Sequence, residues 1–445
     1  MLTLDQLAAS IRDGSIDTVV VAFTDMQGRL VGKRLHGSHL VEQDLARRGI
    51  EGCNYLLAVD MEMEPVPGYE LANWERGYGD FSLRPDLATL RRIPWLPATA
   101  LVLCDVEWHD GTPVNPSPRQ ILRRQVERAR ALGFEPMFGS ELEFYVFRES
   151  YSEAQAQRHR DLTPSVSYIP DYHILASTFD EPLLRAIRNG MAGAGIPVEG
   201  SKGEAWPGQH EVNFLYGDAL TMADNHAVYK NGAKEIAHQH GCSLTFMAKP
   251  DEGWIGNSCH IHSSLWRDGE NAFAGESNVF RHYLAGQIAC LAELAVFVAP
   301  TVNSYKRFAP GSWAPTTLAW GHDNRTCGFR IVGKDASLRT ETRIPGGDVN
   351  PYLALAALLA AGLHGIENEL PLPPAHDGNA YEAEDAARFP GTLYEAVEAL
   401  EQGTIARAAL GDDVVDHYLN YARTEQRLFD EAVTDYERAR MYERG

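Results

Sequence analysis

Four short stretches of the chain alternate apolar and polar residues, and in each the polar positions carry side chains able to bind ions. In Phe138-Gly-Ser-Glu141-Leu-Glu143-Phe-Tyr-Val-Phe147, crowded aromatic and β-branched residues predict a strand. Side chains two apart share a strand face, so Glu141 and Glu143 point one way and Leu142 and Phe144 the other. Gly208-Gln-His-Glu211-Val-Asn213-Phe-Leu-Tyr216 repeats the pattern, with Glu204 just upstream. Cys259-His260-Ile-His262-Ser-Ser264-Leu-Trp266 does so with imidazoles, and Leu338-Arg339-Thr-Glu341-Thr-Arg343-Ile344 alternates Arg, Glu and Arg. Any one of these reads equally well as a strand with its polar face in water.

The rest of the pattern supplies a frame. Leu4, Leu7 and Ile11 predict a short amphipathic helix ending at Gly14, and Thr18 to Phe23, a Gly28 turn and Arg29 to Leu35 predict a hairpin. Ala98 to Trp108 reads as a further strand, followed by a Pro-rich connection, Gly111 to Pro118, which sets the expected boundary between residues 1–110 and 111–445. The irregular Pro65–Asp80 segment between those strands is too long for a turn. Ser117-Pro118 opens a capped helix running to Gly133. Ser152 to Asp161 has no period and reads as a surface excursion, whereas Glu181 to Ala194, Ala219 to His240, Val279 to Ala299 and Pro351 to Gly365 read as helices.

Taken together, the four stretches can supply five Glu and one His as ligands, a set suited to hard divalent cations such as Mg²⁺ or Mn²⁺. Arg307, Arg325, Arg330, Arg339 and Arg343 crowd one strand-rich segment, and guanidinium groups suit carboxylates and phosphates. Surface ion pairing is the alternative for each arginine alone. No glycine spacing matches a Walker or dinucleotide-binding loop, so any nucleotide site must be assembled from strands.

With 61 acidic against 40 basic residues the net charge is −21, which argues against nucleic acid as a partner. No apolar run approaches the roughly 20 residues of a membrane helix. The N-terminal residues lack a secretory pattern, so a cytoplasmic location is expected. The six cysteines show neither metal nor disulfide spacing.

The ordered set of motifs resembles the glutamine synthetase family, from about residue 15 to the C-terminus. Those motifs are Glu-x-Glu, a Glu followed by P-G-Q-x-E, H-x-H-x-S, N-S-Y-K-R, D-N-R, R-x-E-x-R and N-P-Y-L-A-L-A-A. The resemblance implies an α+β protein: a small N-terminal β-grasp-like domain, then a large catalytic domain with a curved antiparallel sheet flanked by helices. It implies ATP as substrate and two divalent cations, one on Glu143, Glu204 and Glu211 and the other on Glu141, His260 and Glu341. By the same resemblance Arg307 and Arg343 grip the carboxylates of L-glutamate, and Gly256 lends a backbone carbonyl. Arg325, Arg330 and Arg339 handle phosphates, while His262 and Ser264 lie towards the nucleotide. A homo-oligomer of two stacked six-membered rings is also implied, with the loop at Glu51 reaching a neighbouring subunit.

Two departures bear on the substrate. Ammonia-using members carry P-G-Y-E-A-P, whereas this chain reads Pro310-Gly-Ser312-Trp313-Ala-Pro315, and the usual Asp-Gly-Ser-Ser appears as Glu51-Gly-Cys-Asn54. The family's Asn ahead of H-x-H falls at Ile255. An indole packs on an alkyl chain and attracts a cation through its face, so Trp313 suits a small organic amine better than ammonia, with Glu51 as proton acceptor. The ending Val433-Thr-Asp-Tyr-Glu-Arg-Ala-Arg is similar to that of γ-glutamyl-amine ligases for ethanolamine or polyamines. The expected activity is ATP-dependent ligation of glutamate's γ-carboxyl to such an amine through γ-glutamyl phosphate. An ammonia-using glutamine synthetase and an inactive structural or regulatory member are the alternatives.

Overall fold

The computed structural model describes residues 1–445. The first sheet contains β1 (Thr18–Thr24), β2 (Leu30–His36), β3 (Ile50–Cys53), β4 (Asp80–Pro85), β5 (Arg91–Arg92) and β6 (Thr99–Glu107), in the order β2-β1-β6-β4-β3 with β5 paired to β6. β1 and β6 pair in parallel at its centre, as in a β-grasp. Their runs of Val, Ala and Leu suit strands covered on both faces. β2 is an edge strand, kept polar by exposed Lys33 and Arg34. Gly28, at φ +83°, forms the turn that joins it to β1.

The second sheet contains β7 (Glu135–Phe147), β8 (Val198–Gly203), β9 (Gln209–Phe214), β10 (Gly217–Asp218), β11 (Ser243–Thr245), β12 (Cys259–Arg267), β13 (Glu270–Asn271), β14 (Trp320–His322), β15 (Phe329–Val332) and β16 (Arg339–Thr342). Its main path is β14-β15-β16-β12-β7-β9-β8. All its pairs are antiparallel except β14 with β15, so both sheets are mixed.

The apolar face of β7 (Phe138, Leu142, Phe144) is buried in a core that also takes in the helices Ala219–Gln239 and Pro351–Glu367. Asn350 caps the second of these and donates through Nδ2 to the carbonyls of Asp25 and Met26, fixing it to the β1–β2 turn. Its neighbour, Asn278–Cys290, packs backbone to backbone against it: a Cβ on Gly286 would lie 2.2 Å from the Ala361 oxygen. Arg119 ties the first sheet to the helix Ala219–Gln239, its buried guanidinium reaching Asp105 at 2.6 Å, Asp86 at 2.7 Å and Asp224 at 2.9 Å.

Several local expectations need correcting. Ser152–Asp161 does not run wholly as irregular surface chain, because Ser150 and Glu153 form a capping box that opens a short helix at Tyr151–Ala156. The helix expected from Glu181 starts at Ile174 and carries Pro182 inside it. Val279–Ala299 is two helices, Asn278–Cys290 and Ala295–Val298. Ser117 occupies the N-cap position before Pro118 without a side-chain cap bond. No helix is long and apolar enough to cross a membrane.

Candidate active site

The register of the second sheet converts the four alternating stretches into one continuous polar face. Glu143 lies opposite Glu211 in the β7–β9 pairing, and Glu141 lies opposite His260 in the β7–β12 pairing. His262 lies opposite Glu341 between β12 and β16, and Glu341 opposite Arg330 between β16 and β15. Five adjacent strands thus bring acidic, imidazole and guanidinium groups from distant parts of the sequence into one row.

Like charges directly opposed on a sheet repel, and burial strengthens the repulsion. Burial first, then Glu204, raises the Glu143 pKa; burial and neighbouring carboxylates likewise raise Glu211. Glu204 is raised mainly by burial although Lys202 opposes the shift, its ammonium lying against the Glu204 carboxylate. His260 is held down to about 4, mainly by burial and then by Arg343, so its imidazole is neutral at pH 7. Glu341 behaves differently. Burial would raise it, but His260, Arg343, His262 and Arg330 outweigh that and hold it at about 2.

The donor set fits divalent cations. One ligand atom from each of Glu141, His260 and Glu341 falls within a 4.8 Å cluster, as does one from each of Glu143, Glu211 and His260. His260 Nε2 is buried without a hydrogen-bond partner. Neutral imidazole plus mutually repelling carboxylates is an arrangement that a hard cation relieves. Glu204 belongs to neither cluster, being turned to Lys202, although it lines the same cavity.

That cavity, about 520 Å³, is lined by Glu141, Glu143, Glu204, Glu211 and His260 on one side and by Gly256, Arg307, Trp313, Arg325, Arg330 and Arg343 on the other. Arg307 is 1% exposed and has no carboxylate partner; its guanidinium donates at 2.8 Å to the Ile344 carbonyl and at 2.8 Å to Ser258 Oγ, leaving Nε unpartnered. A buried cation without a counter-ion is costly unless a ligand supplies the anion. Gly256 makes the placement possible, since a Cβ there would come 2.6 Å from Arg307 Cγ. Arg343 bonds Glu341 at 2.5 Å and Arg330 bonds its other oxygen at 2.9 Å. Arg325 is exposed at the rim.

Trp313 is half exposed and stands at φ +64°, a left-handed conformation that few aromatic residues adopt. It is held on both sides: Ser312 Oγ donates to the Arg307 carbonyl at 2.8 Å, and Tyr381 Oη donates to the Ala314 carbonyl at 3.1 Å. The Ile255 carbonyl accepts from Tyr145 Oη at 2.6 Å.

A second cavity, about 360 Å³, shares Glu141 and Asn213 with the first and is lined by His262, Ser264 and Arg339. Arg339 Nε donates to His262 Nδ1 at 3.1 Å, and His262 Nε2 lies 2.9 Å from Glu141. Its wall includes Tyr216 and Trp266, whose rings stack 6.4 Å apart at 27°. Sequence reasoning missed this pair because each ring taken alone looks like a core aromatic. It also missed Lys202 and Tyr172, whose cation and ring lie 4.8 Å apart at the first cavity.

Glu51 lies outside both cavities. It is exposed on β3 and lines a separate hollow of about 510 Å³ with His39, Arg48 and His109.

Residues 115–441 match the family model described as glutamine synthetase, catalytic domain. Gamma-glutamylethanolamide synthetase of Streptomyces coelicolor is 57% identical over 100% of this chain and 96% of its own length. A glutamate–isopropylamine ligase from a Pseudomonas species is 37% identical over 97% of this chain and 96% of that protein. Among solved structures, a GmaS/ADP complex superposes with a TM-score of 0.86 at 29% identity, covering 98% of this chain and 99% of the other.

Proposed function

Because the chain belongs to the glutamine synthetase family, on its γ-glutamylamine ligase branch, we propose that it joins the γ-carboxyl of L-glutamate to a small primary amine such as ethanolamine, at the expense of ATP. The observation that carries this reading is the placing of Trp313 beside the unpaired Arg307 in the cavity that also holds the carboxylate cluster.

Arg307 and Arg343 hold the carboxylates of glutamate so that the γ-carboxylate faces the nucleotide. The adenine ring stacks in the Tyr216–Trp266 wall, and His262, Ser264 and Arg339 line the path of ribose and phosphates. Glu141, His260 and Glu341, and Glu143 and Glu211 with Glu204, would hold Mg²⁺ or Mn²⁺. Bound there, divalent cations lower the charge barrier between a carboxylate nucleophile and a polyphosphate. A γ-carboxylate oxygen attacks the γ-phosphorus and ADP leaves. The amine nitrogen then attacks the carbonyl carbon of γ-glutamyl phosphate, phosphate departs, and the nitrogen gives up a proton. Arg325 and Arg330 steady the transferring phosphoryl group.

An alkylamine is mostly protonated near pH 7, so the site must attract the cation and then take its proton. Trp313 supplies a ring face and a surface for the carbon chain. Glu51 supplies the carboxylate from the neighbouring subunit of a homo-oligomer, two stacked six-membered rings, which accounts for its distance from the cavity of its own chain. Mass spectrometry of products formed from glutamate, ATP and a panel of amines tests the reading: it predicts γ-glutamyl amides of small monoamines, and glutamine as the sole product would overturn it.

A further inference from the structure

Away from the catalytic face, a cavity of about 640 Å³ lies between the β1–β2 turn, the helix Ala219–Gln239, β11 and the helix Asp412–Glu431. Its charges are of both signs and are not paired with one another. Lys230 and Lys234, one helical turn apart, both lie over the Phe246 ring, at 5.8 and 5.9 Å. Lys230 donates only to the Val349 carbonyl, at 3.1 Å, and Lys234 has no polar partner. Like charges at this spacing repel, and a ring face offsets only part of that. Across the cavity, Asp348 accepts through Oδ2 from Thr301 Oγ1 at 3.0 Å and Ser304 Oγ at 2.5 Å, leaving Oδ1 buried and unpartnered. Glu425, on the helix Asp412–Glu431, makes no ion pair; burial first, then Glu62 and Asp60, pushes it up to about 7.

We infer that this cavity is a second binding site, for an α-amino acid or γ-glutamyl compound whose α-carboxylate is taken by Lys230 and Lys234 and whose α-ammonium is taken by Glu425, with Asp348 on the same wall. Unpaired ammonium groups and unpaired carboxylates sharing one cavity are what a zwitterion satisfies, and a simple anion or cation would leave half of them unanswered. The apolar side of the cavity, with Met247 and Leu428, accommodates a short side chain. The site is also joined to catalysis. Asp348 holds Thr301, the cap of the helix Val302–Tyr305, which leads directly into Arg307. Gly346 lies between them, since a Cβ there would sit 2.7 Å from Asp348 Oδ1 and 3.4 Å from Arg307 Cδ. A ligand that draws on Asp348 therefore shifts the grip on glutamate, and by linkage glutamate alters its affinity equally. The inference does not depend on which amine the enzyme uses.

Calorimetric titration of the complete enzyme with Mg²⁺ and a non-hydrolysable ATP analogue tests it, using L-glutamine, L-glutamate and γ-glutamylethanolamide in turn. Two binding events per chain are expected for at least one of them. Arg307→Ala removes one, and Lys234→Gln and Glu425→Gln each weaken the other tenfold or more while leaving the first unchanged. Tighter filling of the Lys234-dependent site by a free amino acid than by the amide, or the reverse, identifies the source of the ligand. A single class of sites abolished by Arg307→Ala, or a second class indifferent to both Lys234→Gln and Glu425→Gln, would overturn the inference.

Discussion

Glu143 and Glu211 stand directly opposite one another across two paired strands, both nearly inaccessible to water. Nothing in folding rewards that pairing, because like charges opposed on a sheet destabilise it and burial adds to the penalty. The pair makes sense as half of a cation site.

Removing one partner should therefore act in opposite directions on stability and activity. In metal-free protein Glu211→Gln is expected to be as stable as the parent or more stable by about 1 kcal/mol, yet to lose the stabilisation that the parent gains from millimolar Mg²⁺ or Mn²⁺, and to lose turnover. Thermal melts with and without chelator, read beside phosphate release, check this. A variant that is destabilised without metal and still stabilised by it would show that the two glutamates serve the fold.

Strand faces were legible in the sequence because a period of two leaves no freedom: once Leu142 and Phe144 face the core, Glu141 and Glu143 face away. The catalytic motifs made the family legible as well. What alternation could not supply was which strand lies beside which, since partners such as Glu143 and Glu211 or Glu141 and His260 are brought together by non-local pairing. The same limit hid Arg119, which reads as one more basic residue on an amphipathic helix, and the Tyr216–Trp266 stack.

Arg119 carries a stability prediction. It is buried among three aspartates, and Asp224 also accepts from Tyr352 Oη at 2.6 Å. Arg119→Ala leaves buried Asp224 without its ion-pair partner, while Arg123 still reaches Asp105 at 2.8 Å, and should cost about 3–5 kcal/mol. Denaturant unfolding measures it, and a loss below about 1 kcal/mol would mean that the cluster is effectively solvated.

Acid should weaken the fold through two buried histidines away from the metal-ligand cluster. Burial holds both His226 and His417 down to about 3, against roughly 6.5 in an unfolded chain. Above pH 6.5 neither state binds the proton and the folded form keeps its full stability. As pH falls below that, the unfolded chain takes up protons that the folded chain refuses, so stability drops by up to about 1.4 kcal/mol per pH unit for each histidine until about pH 3. His226→Gln should flatten the dependence of the denaturation midpoint on pH between about 6.5 and 4.5; an unchanged slope would place the effect elsewhere.

The placing of Glu51 outside its own chain's cavity predicts complementation between subunits. Glu51→Ala and Arg343→Ala should each be nearly inactive, and refolding them together should regenerate a fraction of active sites. Mixtures that remain as inactive as the separate variants would remove Glu51 from the mechanism.

In the proposed reaction the Trp313 indole is what makes this an organic-amine site. The most direct test of this is the ratio of kcat/KM for ethanolamine to that for ammonia, in the parent and in Trp313→Glu. The parent is expected to favour the organic amine, and the variant to lower the ratio by tenfold or more, about 1.4 kcal/mol of discrimination. A parent enzyme that prefers ammonia over every amine offered, or a ratio that stays put when the indole is replaced, would contradict it.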